Sequence, residues 1–389
     1  MNITSSLHST DFDNTRVFLR ADLNVPIIDK TITNDFRLQA LLPTIDLLLQ
    51  KGAKIVLGTH IGRPKDFNAS LSTEILVPWF EKHGYKIEFE PGLERAQQKS
   101  LENQDTILLL ENLRFFPGER KHDPAYVEDL ERLADYYIND AFGVMHRNDC
   151  SVTDLPRLFA PDRCSIGLLV EQELQILNQL LDAPKKPFIL IIGGAKISSK
   201  LPLLRSLIKK VDNFLLCPAI VFTFLKALKK PVGNSLVDDN LLHESKKFLD
   251  EAKEKILFPV DYQIAQETFD GPISFVESTE IPDGSVGVSI GPKTENLFAE
   301  KIANAETIFF NGAIGNMHNA ETLRGTQALL TAMGKSKALT VVAGGESVAL
   351  TQLFGLNMQM DYCSTGGGAT LAYLAGEDLP GLETFIKEK

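Results

Sequence analysis

Lys54-Ile55-Val56-Leu57-Gly58-Thr59-His60-Ile61-Gly62-Arg63-Pro64 is an apolar run that gives way abruptly to histidine and arginine. A short apolar run of this kind reads as a buried strand, with the polar residues standing where it stops. The pattern recurs on both sides. Val17-Phe18-Leu19 ends in Arg20-Ala21-Asp22-Leu23-Asn24. Ile107-Leu108-Leu109-Leu110 ends in Glu111-Asn112-Leu113-Arg114, and Tyr136-Tyr137-Ile138 ends in Asn139-Asp140-Ala141-Phe142-Gly143, then His146-Arg147. Open α/β sheets bind ligands beyond the carboxyl ends of their strands. Four such ends carrying Arg and His imply one pocket for a small, strongly anionic molecule. The second half repeats the arrangement with glycine, at Ile192-Gly193-Gly194-Ala195-Lys196, Val342-Ala343-Gly344-Gly345-Glu346-Ser347 and Ser364-Thr365-Gly366-Gly367-Gly368. Glycine-rich strand exits are the chemistry of a phosphate cradle. One half suited to an anion and one suited to phosphates make phosphoryl transfer the first hypothesis.

Helical patterns lie between the strands. Leu38–Gln50, Thr73–His83, Glu128–Tyr137 and Leu201–Lys210 carry apolar residues at helical spacing, and Gly84 is placed to stop the second. Such alternation predicts an α/β architecture of parallel sheets with helices on both faces. The 389 residues allow two domains at the usual ~100–200 residues each. An amphipathic helix at Glu171–Leu181 is stopped by Asp182-Ala183-Pro184-Lys185-Lys186-Pro187. The strand Phe188–Ile192 then opens a second α/β unit, so the junction is expected at Leu168–Pro184.

Composition narrows the function. Hydrophobic content of 44% and charged content of 23% suit a globular enzyme. The net charge of −11 disfavours nucleic acid and anionic membranes as partners of the bulk surface, so an anion site must use locally clustered Arg and Lys. Cys150, Cys164, Cys217 and Cys363 are scattered without C-x-x-C spacing, which argues against a disulfide framework or a zinc site and for a reducing cytoplasm. No apolar run approaches the ~18 residues of a membrane span. Met1-Asn2-Ile3-Thr4-Ser5-Ser6 lacks the basic start and apolar stretch of a signal peptide.

Each motif has a plainer reading. A single Arg most often caps a helix or pairs with a surface acid, and Arg20 reads that way because Asp22 lies two residues on along an extended segment. His60, Arg63, Arg114 and Arg147, at matching topological positions, read together as the anion pocket. Asp22 and Asn24 could orient those cations, or simply form the turn before Pro26. Gly193-Gly194 alone is a tight turn as often as a phosphate site, and neither a Walker loop nor a Rossmann G-x-G-x-x-G is present. Gly366-Gly367-Gly368 is stronger, because three glycines opening a helix are entropically costly unless the exposed N–H groups serve a ligand. Trp79 and Phe222–Leu225 read as core.

In order and spacing, several stretches resemble the phosphoglycerate kinase family along nearly the whole chain. They are Arg20–Pro26, Thr59–Lys65, Leu110–Phe115, Asn139–Gly143 with His146-Arg147, Gly193–Lys196, Phe222–Lys226, Pro259–Asp261, Ile290–Thr294, Asn311-Gly312 and Ser364–Gly368. The resemblance implies two Rossmann-like lobes, each a parallel sheet flanked by helices: 1–167, with a tail of about 376–389 packing back on it, and 185–375, joined by an interlobe helix within 168–184. By motif position Asp22, Asn24, Arg37, His60, Arg63, Arg114 and Arg147 would hold 3-phosphoglycerate or 1,3-bisphosphoglycerate. Gly194, Lys196, Lys200, Gly287, Asn311, His318, Gly344, Gly345, Glu346 and Ser347 would hold the nucleotide. Mg2+ would accompany ATP or ADP, with Glu346 on the metal side, through water if not directly. Arg37, Lys196, Lys200 and the Gly366–Gly368 amides, Gly367 and Gly368 above all, would meet the charge of the phosphoryl group in transfer. The lobes would close around both substrates, and the enzyme is expected to be a cytoplasmic monomer.

The departures from the family pattern fall in the nucleotide half. Three glycines before Phe222 become Cys217-Pro218-Ala219, a Gly-Gly-Gly-Asp loop becomes Ala343-Gly344-Gly345-Glu346, and an Asp before Lys200 becomes Ser199. Ala313 replaces a proline, Ser285 an aromatic, and His318 falls where a ribose-binding Glu is expected. An active kinase with a remodelled base and ribose site is the leading reading. A weak or inactive relative that only binds 3-phosphoglycerate is the alternative, and an anion-binding protein of other function a third.

Overall fold

The computed structural model describes residues 7–102 and 106–386, so the extreme ends of the 1–167 and 376–389 assignments lie outside the described residues. The chain divides into two units, Met1–Gln175 with Asp378–Lys389, and Ile176–Glu377.

The first unit contains β1 (Arg16–Ala21), a hairpin of β2 (Ile27–Ile28) and β3 (Thr31–Ile32), β4 (Lys54–Gly58), β5 (Ile87–Glu90), β6 (Ile107–Leu110), β7 (Tyr136–Asp140) and β8 (Cys164–Ile166). Six of these form a parallel sheet in the order β5-β6-β4-β1-β7-β8. Strands β6, β7 and β8 are buried along their whole length, as expected where helices cover both faces of a sheet. The helix Phe36–Gln50 turns Leu38, Leu41, Ile45 and Leu48 inward, and these pack with Val17, Leu19, Ile55 and Leu57 of the strands. The strand order reverses between β1 and β7, which makes the crevice beyond their carboxyl ends the expected ligand site.

Three helix expectations change. The pattern at Glu128–Tyr137 yields a helix at Pro124–Glu131, started by Asp123, whose side chain accepts from Ala125 N–H at 3.1 Å. The pattern cannot run on to Tyr137, because Tyr136 and Tyr137 pair with Val17 and Phe18 in the sheet. Thr73–His83 is a 3-10 turn, Thr73–Leu76, followed by an α-helix, Val77–Lys82, with proline in its first turn. Pro78 has no N–H for an intrahelical bond, so the α-helix begins there. The helix from Leu201 ends at Leu207. Trp79 is half-buried against the core and donates to Asp35 Oδ2 at 3.0 Å.

The end of the chain belongs to the first unit. Gly381 N–H donates to Met145 O at 2.9 Å, and Phe385 stacks on Tyr137 with centroids 6.4 Å apart. The helix Leu168–Asp182 crosses the division between the units, which falls after Gln175.

The second unit contains β9 (Phe188–Gly194), β10 (Asn213–Ala219), β11 (Ile256–Leu257), β12 (Tyr262–Gln266), β13 (Ile273–Val276), β14 (Ser285–Ile290), β15 (Thr307–Asn311), β16 (Leu339–Ala343) and β17 (Tyr362–Cys363). Its parallel sheet has the order β11-β10-β9-β15-β16-β17, and an antiparallel sheet, β13-β12-β14, stands beside it. The reversal here falls between β9 and β15. Phe222, Phe224 and Leu225 are buried core residues. No described helix is long and apolar enough to cross a membrane.

Candidate active site

In the first unit, register brings the polar strand ends to one level. Arg20 pairs with Gly58 and Ala21 with Asp140, so Asp22, His60 and the segment leading to Arg147 emerge side by side. Asp22 Oδ1 accepts from Arg37 Nη1 at 2.9 Å, and Asn24 O accepts from the same nitrogen at 3.2 Å. Asn24 Oδ1 accepts from the Gly62 N–H at 2.8 Å and so fixes the turn, at φ +65°, that leads to exposed Arg63. Arg114 donates to Gly62 O at 2.9 Å and to Asp149 Oδ2 at 2.8 Å. Asp22 and Asn24 therefore work on their neighbours: one aims Arg37, the other shapes the loop.

The field of this cluster is strongly positive. Burial, with Arg20, Arg114, Arg37 and Arg147 around it, holds His60 well below its ordinary pKa, so the imidazole is neutral. Burial and Arg147 also lower His146, against the opposing pull of Asp22 and Asp149. Burial pushes the Asp149 carboxyl up, but Arg114 outweighs it and leaves Asp149 below the usual range. Among the described residues, Arg114 Nε, Arg147 Nε and His146 Nδ1 are buried without a hydrogen-bond partner. Unpartnered buried nitrogens are costly, and in a cluster rich in cations they mark a place for an anion's oxygens.

Arg20 departs from its expected pairing with Asp22. It is fully buried and points away, donating from Nε to Ser151 Oγ at 2.7 Å. His146, which its strand end already suggested, and Asp149, which the sequence reading does not single out, join the cluster. Their signal was local, since both flank Arg147 in His146-Arg147-Asn148-Asp149.

The second unit builds its site from β9, β15 and β16. Ile192 pairs with Asn311 and Asn311 with Ala343, which aligns Gly193-Gly194, Gly312 and Gly344-Gly345. Lys200 is buried and its Nζ donates to Gly193 O. Gly194 stands at φ +79°, a conformation that side chains other than glycine's rarely adopt, so glycine suits the turn beside that ammonium. Burial lowers the Lys200 pKa to about 8, against the opposing effects of Glu346 and Cys217. Lys196, after the same glycine pair, is exposed.

Helices start at two of the glycine loops. Gly344, at φ +99°, precedes the helix Gly345–Leu353, with Glu346 exposed in its first turn. Gly367, at φ +52°, precedes the helix Gly368–Ala375. A side-chain carbon at Gly345 or Gly367 would meet nothing within 4 Å, so these backbones face open space. Asn311 and Ser347 instead tie the loops together, Asn311 Nδ2 donating to Ala343 O at 2.9 Å and Ser347 Oγ accepting from Gly312 N–H at 3.0 Å. Gly287 is set by packing, since a Cβ there would lie 2.2 Å from Phe222 Cζ. His318 is exposed, with its N–H donating to Asn316 Oδ1 at 2.9 Å. Cys217 is fully buried, so its thiol fills the interior rather than crowding an exposed slot.

The family model described as phosphoglycerate kinase matches residues 7–377. A phosphoglycerate kinase of Chlamydia muridarum is 40% identical over 385 residues, 95% of each chain. One of Rubrobacter xylanophilus is 38% identical over 384 residues, 97% of each. The solved structure of phosphoglycerate kinase from Coxiella burnetii aligns with a TM-score of 0.83 at 31% identity, covering 98% of both chains. That from Pyrococcus horikoshii aligns with a TM-score of 0.85 at 29% identity, covering 97% of this chain and 98% of the other.

Proposed function

The chain belongs to the phosphoglycerate kinase family, and on that premise we propose how its residues carry the family's reaction. The reaction is reversible phosphoryl transfer between 1,3-bisphosphoglycerate and ADP, giving 3-phosphoglycerate and ATP. Likeness over the full length lends no support to a binding-only relative.

The first unit binds the sugar acid. The observation that carries this is the set of unpartnered buried nitrogens on Arg114, Arg147 and His146, beside neutral His60 and the Asp22-anchored Arg37. Arg63, exposed on its turn, adds a further positive charge. Arg37→Ala or Arg147→Ala should weaken 3-phosphoglycerate binding by ~1.5–3 kcal/mol per lost charge-assisted hydrogen bond. Binding should also weaken as salt rises. Titration calorimetry on the two variants tests this, and unchanged affinity in both would remove the pocket.

The second unit binds the nucleotide phosphates at Gly194, Lys196, Lys200, Gly344-Gly345 and the start of the Gly368–Ala375 helix. Asn311, Ser347 and Gly287 shape these loops. Transfer is in line, from a carboxyl oxygen of the sugar acid to the terminal oxygen of ADP or back, and its charge spreads over equatorial oxygens. Fixed donors that need no reorganisation stabilise that charge best. Lys200, Arg37 and the Gly367 and Gly368 amides fill this role, with Lys196 neutralising the phosphates. Mg2+ suits Glu346, because the ion keeps several waters and takes one or two carboxylates with phosphate oxygens, and Glu346 is an exposed carboxylate at a helix start. With the ion bound, Glu346 would hold it on the phosphate side and it would supply positive charge to offset that of the phosphates. The cysteines are all free, in keeping with work in the cytoplasm.

Lys200 gives the pH profile a definite sign. Its ammonium is charged below about 8 and lost above it. The free-enzyme parameter kcat/KM for ATP should hold steady up to that pH and fall beyond it. The fall in kcat should come at higher pH, because bound phosphates favour the charged lysine. A kcat/KM for ATP that stays flat to pH 9.5 would contradict this.

A further inference from the structure

Three buried polar residues of the first unit without a part in the scheme above, Glu119, Ser151 and Arg20, lead to His60 of the anion cluster. Glu119 is fully buried in the short helix Gly118–Lys121 and accepts from Ser151 Oγ at 2.6 Å and from Ser151 N–H at 3.1 Å. Ser151 Oγ accepts in turn from Arg20 Nε at 2.7 Å. Arg20 Nη2 lies 3.4 Å from His60 Nδ1. His60 Nε2 stands 3.9 Å from Asp22 Oδ1, the oxygen that anchors Arg37.

The direction of these bonds follows from their chemistry. A guanidinium can only donate, so His60 Nδ1 must accept. The single proton of a neutral imidazole then sits on Nε2, facing Asp22 and the pocket. Two bonds hold the Arg20 guanidinium towards Nδ1, Nη1 donating to Ala21 O and Nε donating to Ser151 Oγ, and the second of these is the one that Glu119 reaches. Ser151 is oriented by Glu119, whose two oxygens both accept from this one residue, while burial pushes the Glu119 carboxyl up to about 7 against the opposing pull of Arg20.

We propose that Glu119 is a positioning residue, which through Ser151 and Arg20 fixes the His60 tautomer that offers an N–H to the sugar acid. The proposal rests on His60 being a sugar-acid contact. A purely structural Glu119, offsetting the charge of Arg20, would leave the tautomer and the substrate affinity unchanged.

The test uses the full chain labelled with 15N-histidine, as wild type, Glu119→Gln, Ser151→Ala and His60→Gln. Imidazole proton–nitrogen spectra read the tautomer, and steady-state kinetics read KM and kcat. Wild-type His60 should carry its proton on Nε2. Glu119→Gln and Ser151→Ala should each mix the two tautomers and raise KM for 3-phosphoglycerate about tenfold, the worth of one misplaced hydrogen bond. The nucleotide KM should not move, and kcat should change less than the sugar-acid KM. Glu119→Gln is close in shape to the native residue and keeps the test open if Ser151→Ala folds poorly. An unmoved tautomer, or an unmoved sugar-acid KM, in the folded variants overturns the proposal. His60→Gln separates the two failures. If it leaves KM unchanged, the substrate role of His60 is wrong. If it raises KM while the other two variants do not, the relay alone is wrong.

Discussion

Lys200→Ala should lower kcat by about two or more orders of magnitude, with a smaller change in the sugar-acid KM. Lys200 is the one proposed catalytic cation buried in the second unit, and its charge is held there against desolvation. A charge in low dielectric interacts more strongly with developing negative charge than the same charge in water. Its Nζ is also fixed, by Gly193 O, before any ligand arrives. Exposed Lys196 lacks both features, so Lys196→Ala should raise nucleotide KM more than it lowers kcat. Alanine at 200 also strips Gly193 O of its donor, so thermal denaturation must accompany the kinetics. A kcat within a factor of three of wild type, with only nucleotide KM raised, would make Lys200 a ground-state anchor and contradict the assignment.

The second large effect is on nucleotide choice. The phosphates should be read normally, because Lys196, Lys200 and Gly366–Gly368 are in place. The ribose and base should be read poorly. At position 318 a histidine stands where the family resemblance leads one to expect a carboxylate, and it is exposed on its loop. Histidine cannot accept from two ribose hydroxyls as a carboxylate does. Losing a charged acceptor is worth ~1.5–3 kcal/mol, so ATP should bind roughly one to two orders of magnitude more weakly than it would with the carboxylate. Pro218 adds to this, having no N–H to offer. Discrimination between ATP and GTP should narrow. His318→Glu should recover most of the ATP affinity, read by equilibrium dialysis or calorimetry. Unchanged affinity would mean that position 318 does not face the ribose. A kcat/KM for ATP at least a hundred times that for GTP, with micromolar affinity, would mean that other residues rebuild the slot.

The sheets were legible because parallel strands buried on both faces read as continuous apolar runs, and their polar ends are abrupt. His60, Arg114 and Arg147 could be found from those ends alone. Arg37 could not, since it lies in the first turn of a helix and is tied to the cluster by Asp22 and by Asn24 O, fifteen and thirteen residues away. The partner of Arg20 was equally hidden. The nearest acid in sequence, Asp22, faces the pocket, while Ser151, 131 residues on, faces Arg20. Local spacing carries no trace of such pairings. Nor could sequence tell Lys200 from Lys196, as both follow the same glycines. What separates them is the fold of the chain back over Gly193 and Gly194, which buries one ammonium and leaves the other in water.

This chain should turn over 3-phosphoglycerate despite its altered ribose and base contacts. A coupled assay of 1,3-bisphosphoglycerate formation, with Mg2+ and ATP, GTP, CTP and UTP in turn, tests it most directly. Turnover with ATP at a raised KM is expected, with GTP within about two orders of magnitude of it and turnover lost in Lys200→Ala. Tight binding of 3-phosphoglycerate with no product from any of the four nucleotides would contradict it.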